Sequence, residues 1–162
     1  MPIELLFENG DFLIAYKPSA LNFHSEDEIG FAALLKEQLA LETLNPVHRL
    51  DKVTSGMVIF AKNLATTQEF QKLFEEKTIS KYYLALSAKK PRKKQGWIKA
   101  DMKKGRRGSW MLAQTNENPA ITHFLSTNIA PNLRAFLIRP YSGKTHQIRV
   151  ALKSIGAPIL GD

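Results

Sequence analysis

Apolar residues fall along the chain in short runs with two different spacings, separated by turn residues. "IELLFENGDFLIAYKPSAL" reads as two strands around Glu8-Asn9-Gly10-Asp11, because Asn-Gly between apolar runs is a strong hairpin signal. Pro18 ends the second strand: it cannot donate to a ladder and it restricts Lys17. "GFAALLKEQLALE" places Phe31, Leu34, Leu35, Leu39 and Leu41 at helical spacing, and Asn45-Pro46 stops that element. "GMVIFAK" (56–62) reads as a buried strand. "LATTQEFQKLFEEK" reads as a helix with Leu64, Phe70, Leu73 and Phe74 on one face.

"ISKYYLALSA" is predicted as a strand, with Tyr83 and Ala85 on one side and Tyr82 and Leu84 on the other. "GWIKADM" is predicted as another, with the basic clusters "KKPRKK" (89–94) and "KKGRR" (103–107) in solvated loops at its two ends. "AITHFLSTNIA" and "LRAFLIRP" form a hairpin across Pro131-Asn132. "THQIRVALKSIG" is a short helix with Ile148, Leu152 and Ile155 as its apolar stripe and Gly156 at C′. The closing "GAPILGD" reads as the start of a strand or turn. The expected fold is therefore α+β: a mixed, largely antiparallel sheet with flanking helices in a single domain over 1–162, C-terminally truncated or continuing beyond Asp162.

Composition narrows the function classes. The 162 residues include no cysteine, which excludes disulfides, thiolate metal sites and a thiol nucleophile. No stretch is apolar for long enough to span a bilayer, and the N-terminus lacks a signal-peptide layout, so no membrane partner and a cytoplasmic location are expected. Net charge is +8, from 23 Lys and Arg against 15 Asp and Glu, which points to a polyanionic partner, nucleic acid first. The four histidines show no metal spacing, and no P-loop or G-x-S-x-G motif is present, so no metal and no cofactor are expected.

Two places could carry chemistry. In "HRLDKVTSG" (48–56), Arg49 and Asp51 are two apart, so in an extended segment they point to the same side. Gly56 permits close approach of a backbone or ligand. The commoner use of such a segment is a structural turn, with Asp51 capping it beside Thr54 and Ser55. In "PYSGKTHQIRV" (140–150), Tyr141, Lys144, His146 and Arg149 crowd a Gly turn at a helix start, where free N–H groups attract anions. Arg149 in the first turn opposes the helix dipole, so an acid or a phosphate would give it a reason to be there.

Taken together, "VHRLDKVTSGMVIFAK", "ISKYYLAL", "GKTHQIRVAL" and "GAPILGD" resemble the RluA-like pseudouridine synthases, in this order and at plausible distances. "FENGDFLIAYKPSALNFHS", with Lys17-Pro18 at its centre, resembles the family's first motif. "NPAITHFL" resembles a weaker A-x-T stretch through Ala120 and Thr122. The likeness runs from about residue 5 to the end. It implies an enzyme that isomerises uridine to pseudouridine in ribosomal or transfer RNA without a cofactor.

By the same resemblance Asp51 is the catalytic carboxylate, Tyr83 stacks on the target base, and Arg149 pairs with Asp51. Arg49 fills the gap left by a flipped nucleotide and Ile148 lines the pocket. Lys17, His48, Lys144, Arg106 and Arg107 are expected to join the RNA-binding set. Val53 stands where the family often has a second acid, and Ala151 where a histidine is common. No S4-like RNA-binding domain is expected beside these motifs, and a monomer is the default expectation.

The chemistry suits these residue types. The N1–C1′ bond breaks, the base turns and reattaches through C5, and one ionised carboxylate serves either by attacking C1′ or by taking a C2′ proton. Desolvation under a base favours a neutral carboxyl, and a guanidinium at contact distance opposes that. A nucleoside hydrolase would need a positioned water and usually a second acid, and none is evident near Asp51. A catalytically weak RNA-binding protein on the same fold is the other alternative.

Overall fold

In a computed structural model, residues 2–105 and 109–161 are described. Arg106 and Arg107, expected to meet RNA, lie outside the described residues. The chain divides into two compact units, Met1–Thr78 and Ile79–Asp162.

The first unit is a four-stranded antiparallel sheet with two helices. Strands β1 (Leu5–Glu8) and β2 (Phe12–Lys17) form the expected hairpin. Asn9 explains the turn: its Oδ1 accepts from the N–H groups of Asp11 (2.9 Å) and Phe12 (2.8 Å). Helix α1 (Phe31–Leu39) follows, then β3 (Asn45–Pro46), β4 (Gly56–Ala61) and α2 (Leu64–Glu75), with sheet order β1-β2-β4-β3. Leu13, Ala15, Phe23, Phe31, Leu35, Val58 and Phe60 are its core. Phe23 stacks on Phe60 at 6.2 Å.

The expected apolar face of α2 is corrected. Leu64 is 68% exposed, and Leu73 is exposed too, whereas Thr66 and Thr67 are buried. The cap sets this rotation: Asn63 Oδ1 accepts from Thr66 N–H (2.8 Å), and Thr67 Oγ1 donates to Asn63 O (2.8 Å). The half-buried Phe70 and Phe74 continue that side, against Phe12 and His48.

The second unit has a four-stranded antiparallel sheet of order β5-β10-β9-β6. Its strands are β5 (Tyr83–Ser87), β6 (Gln95–Ala100), β9 (Ala120–Ala130) and β10 (Leu133–Pro140). Helix α3 (Gln147–Ser154) packs on one face, where Ala85, Ile98, Phe124, Phe136, Ile138, Ala151 and Leu152 form the core. Alternation along the strands works as expected: Tyr83 and Ala85 face this core, and Leu84 is 82% exposed on the reverse. Gly156, at φ +83°, ends α3, with Ala157 N–H donating to Leu152 O (3.0 Å).

One expectation about this unit is corrected. The second basic cluster does not begin in a loop: Met102–Lys104 is strand β7, paired with β8 (Trp110–Leu112), a small ribbon that the apolar pattern did not signal. For the segment "GAPILG", expected as a strand or turn, the turn is what forms, and it is tied to β5 through Leu160 N–H to Leu86 O (2.7 Å) and Ser87 Oγ to Pro158 O (2.6 Å).

Asp101 organises the loop after β8. Its carboxylate accepts from Thr115 Oγ1 (2.6 Å), Glu117 N–H (3.0 Å) and Asn118 N–H (2.9 Å). The Thr115 hydroxyl, then those two N–H groups and nearby Lys144, hold its pKa below the usual carboxylate value. A depressed carboxylate stabilises the fold above its unfolded pKa, and that contribution disappears as pH falls through the folded pKa. Asp101→Asn should therefore lower the thermal midpoint at neutral pH, with the gap to wild type closing as the pH drops below the carboxylate range. A gap independent of pH in calorimetry would show that the charge is not what matters.

Candidate active site

The loop that carries Asp51 is fixed from the end of β2. Lys17 follows Leu13 and Ala15 on the inward side of that strand and is 0% exposed. Its ammonium donates to the carbonyls of Pro18 (3.0 Å), Asp51 (3.2 Å), Lys52 (3.2 Å) and Thr54 (3.0 Å). Ser19 Oγ donates to Val53 O (2.9 Å). Four successive carbonyls, 51 to 54, are thus held by two side chains from "KPS". Burial pushes the Lys17 pKa down, and the neighbouring Asp51 charge pulls it back up. The expectation that Lys17 meets RNA is corrected: an ammonium buried among backbone acceptors is a structural clamp.

Within the loop, Thr54 N–H donates to Asp51 O (3.0 Å), which closes the turn through main-chain atoms. Leu50 is buried while its neighbours Arg49 and Asp51 are exposed and half-buried, so the segment is anchored by Leu50 between them. Gly56, at φ +145°, turns the chain into β4, and a Cβ there would stand 3.5 Å from Leu50. His48, expected in the RNA-binding set, is half-buried; its Nε2 accepts from Ile59 N–H (3.1 Å) and its ring lies 5.3 Å from Phe74, so the imidazole fastens the loop to β4.

In the second unit, Tyr83 opens β5, opposite Ile138, and packs with Ile148 against the core cluster. The start of α3 is built around Gln147, which sequence reasoning passed over. Its buried amide is saturated: Oε1 accepts from Ser142 Oγ (2.8 Å) and Lys144 N–H (3.0 Å), and Nε2 donates to Ile121 O and Thr122 Oγ1 (both 3.0 Å). A Gln in the first turn after a Ser-Gly turn was the available signal. His146 caps the helix at φ +53°, and Arg149 Nη1 lies 3.1 Å from its Nδ1. The guanidinium can only donate, so Nδ1 accepts. Arg149 is half-buried. Lys144 Nζ donates to Asn118 Oδ1 (3.0 Å), which ties the turn to the Asp101 loop. Lys81 was also unmarked: burial lowers its pKa, and its ammonium lies 4.0 Å from where a Cβ on Gly143 would stand.

Among the described residues no group of three or more His, Cys, Asp or Glu could hold a metal ion. No helix among them is long and apolar enough to cross a membrane. The arrangement offers one carboxylate on a rigid, main-chain-clamped loop in the first unit. In the second it offers an aromatic ring and a guanidinium on rigid elements.

Residues 11–154 match a family model described as RNA pseudouridylate synthase. A protein of Haemophilus influenzae described as an uncharacterized RNA pseudouridine synthase is 52% identical over 163 residues, covering 100% of this chain and 73% of that protein. The ribosomal large subunit pseudouridine synthase C of Rickettsia bellii is 33% identical over 169 residues, covering 98% of this chain and 55% of that protein. Among solved structures, human RNA pseudouridylate synthase domain containing 1 superposes with a TM-score of 0.83 at 22% identity, covering 99% of this chain and 68% of the human chain. At that identity the likeness speaks for the fold.

Proposed function

The chain belongs to the RluA-like RNA pseudouridine synthases, and we propose that residues 1–162 act as one catalytic domain that isomerises uridine to pseudouridine in structured RNA. The family match over residues 11–154 carries this reading, and the clamp that fixes the Asp51 loop supports it. Ribosomal RNA is the first substrate to test, because relatives at about half coverage of their own length are named as ribosomal large subunit synthases.

In this reading Asp51 supplies the ionised carboxylate at the ribose. The N1–C1′ bond of the target uridine breaks, the uracil turns, and C5 bonds to C1′. C5 loses its proton and N1 gains one, so no electrons are exchanged and no redox partner is needed. Tyr83 stacks on the uracil and keeps the detached base in place, a contact worth about 1–3 kcal/mol. Arg149 is the cation assigned to the carboxylate, and a guanidinium suits that role because it stays charged and grips in bidentate fashion. Arg49, exposed beside Asp51, faces the RNA. Extruding the target base costs a few kcal/mol, which phosphate contacts offset.

The test is to incubate the chain with unmodified ribosomal and transfer RNA transcripts and map pseudouridine by carbodiimide labelling. A site-specific stop in ribosomal RNA is the expected result. Absence of signal in every transcript would overturn the reading.

A further inference from the structure

Charge is segregated between the two units. Residues 1–78 hold 7 Lys and Arg against 12 Asp and Glu, while residues 79–162 hold 16 against 3. No acid occurs between Glu76 and Asp101, nor in any of the strands β5, β6, β9 and β10. The basic character of the chain therefore resides in the second unit, whose four-stranded sheet carries Lys99, Arg134 and Arg139 and no acid.

The reverse face of that sheet, away from α3, carries a built stack of rings and a guanidinium. Trp97 on β6 lies opposite His123 on β9, which lies opposite Arg139 on β10. Tyr82, next to the Tyr83–Ile138 pair, continues the row beside Arg139. Their contacts are continuous. Trp97 is 4.7 Å from His123 and 5.0 Å from Tyr141, ring centre to ring centre. The Arg139 guanidinium sits 4.6 Å from the centre of the Tyr141 ring and 5.5 Å from that of Tyr82, and it donates to Ser80 Oγ at 3.0 Å. The two ends of the row remain open: Trp97 is 60% exposed and Tyr82 58%.

Neighbouring side chains supply charge. Lys99, two residues from Trp97 on the same face of β6, is exposed, as are Lys89, Lys90, Arg92, Lys93 and Lys94 in the loop that leads into β6. Flat rings interleaved with cations match unpaired bases and phosphates, since every base offers a π-face and arginine stacks on it as well. An apolar protein partner would find a cation in the middle of this row, in a sheet whose four strands hold no acid. The next row of the sheet, Leu84, Leu137 and Leu125, carries no charge and is outside this argument.

We propose that this face, centred on Trp97, Tyr141, Arg139 and Tyr82, is a stacking platform for single-stranded RNA, distinct from the face that presents Tyr83. It rests on the reading of RNA as the substrate and adds where the strand outside the target nucleotide is held. Because Arg139 is already pinned between two tyrosines and a serine, little side-chain entropy is lost when a base arrives.

The test uses the full chain with Trp110→Phe, which leaves Trp97 as the only tryptophan. A short single-stranded oligouridylate should quench Trp97 emission, and a duplex of the same length should not. Trp97→Ala and Tyr82→Ala should each weaken binding about tenfold, while Trp97→Phe keeps most of it. Arg139→Gln should flatten the salt dependence by about 0.7 in log–log slope if one phosphate contact is lost. Unchanged melting of Tyr82→Ala and retained binding by Trp97→Phe separate stacking from fold damage.

Pseudouridine formation is measured alongside. Oligonucleotide binding that depends on Trp97, with no pseudouridine in any transcript, would remove the synthase reading and leave the platform. Pseudouridine formation with neither oligonucleotide affinity nor KM altered by Trp97→Ala and Tyr82→Ala would remove the platform and leave the synthase reading.

Discussion

Asp51→Asn should reduce single-turnover pseudouridine formation by about 10⁴-fold or more, the scale seen when a group that reacts directly is removed. The substitution keeps the size and planarity of the side chain and takes away its charge and nucleophilicity. The turn should survive, because the main-chain oxygen of Asp51 accepts from Thr54 N–H and from Lys17 Nζ in either variant. Thermal melting and RNA affinity should stay near wild type while the rate collapses. A variant that retains a rate within about tenfold of wild type would assign the chemistry elsewhere, since tenfold is only about 1.4 kcal/mol of barrier.

Lys17→Met should be the most damaging change that leaves every proposed RNA-contacting group in place. The ammonium pays a desolvation cost, seen in its lowered pKa, but it satisfies four carbonyls that no other side chain reaches in the same way. Methionine fills the space and removes that cost, yet all four carbonyls lose the ammonium, the Asp51 oxygen keeping the Thr54 N–H. Orphaned buried acceptors cost about 1–3 kcal/mol each, discounted here because the site is only part-buried and the desolvation penalty is relieved. A net loss of about 3 kcal/mol is expected, read as a lower midpoint in urea. The catalytic rate should fall together with stability, because the carbonyl of Asp51 itself loses its anchor. Full stability with normal activity would show that Ser19 and the turn hold the loop unaided.

Much of this architecture was legible because local signals and global pairing agreed. Asn9-Gly10 announced the first hairpin, Pro131-Asn132 the second, and Gly156 the end of α3. Lys17 was assigned to RNA through the motif it sits in, although it is in phase with Leu13 and Ala15 and a lysine on the inward side of a strand needs acceptors. The exposure of Leu64 was not legible, because the rotation of α2 is fixed by the Asn63 cap rather than by where leucines fall. The ribbon β7-β8 escaped because three-residue strands carry too little periodicity. The stack of Trp97, Tyr141, Arg139 and Tyr82 spans three separate stretches of chain, and only register brings them together. The roles of Asp51, Tyr83 and Arg149 came from motif resemblance. The residues alone left Asp51 as readily a turn former as a catalyst.

The clamp on residues 51 to 54 recognises oxygen atoms that every amino acid possesses. Side-chain identity at Lys52 and Val53, both pointing to solvent, is thereby uncoupled from the placement of Asp51. Those two positions can be rewritten to suit a different RNA surface while the acid between Leu50 and Lys52 stays where it is. A lineage could retarget such an enzyme through its lip without retuning its chemistry.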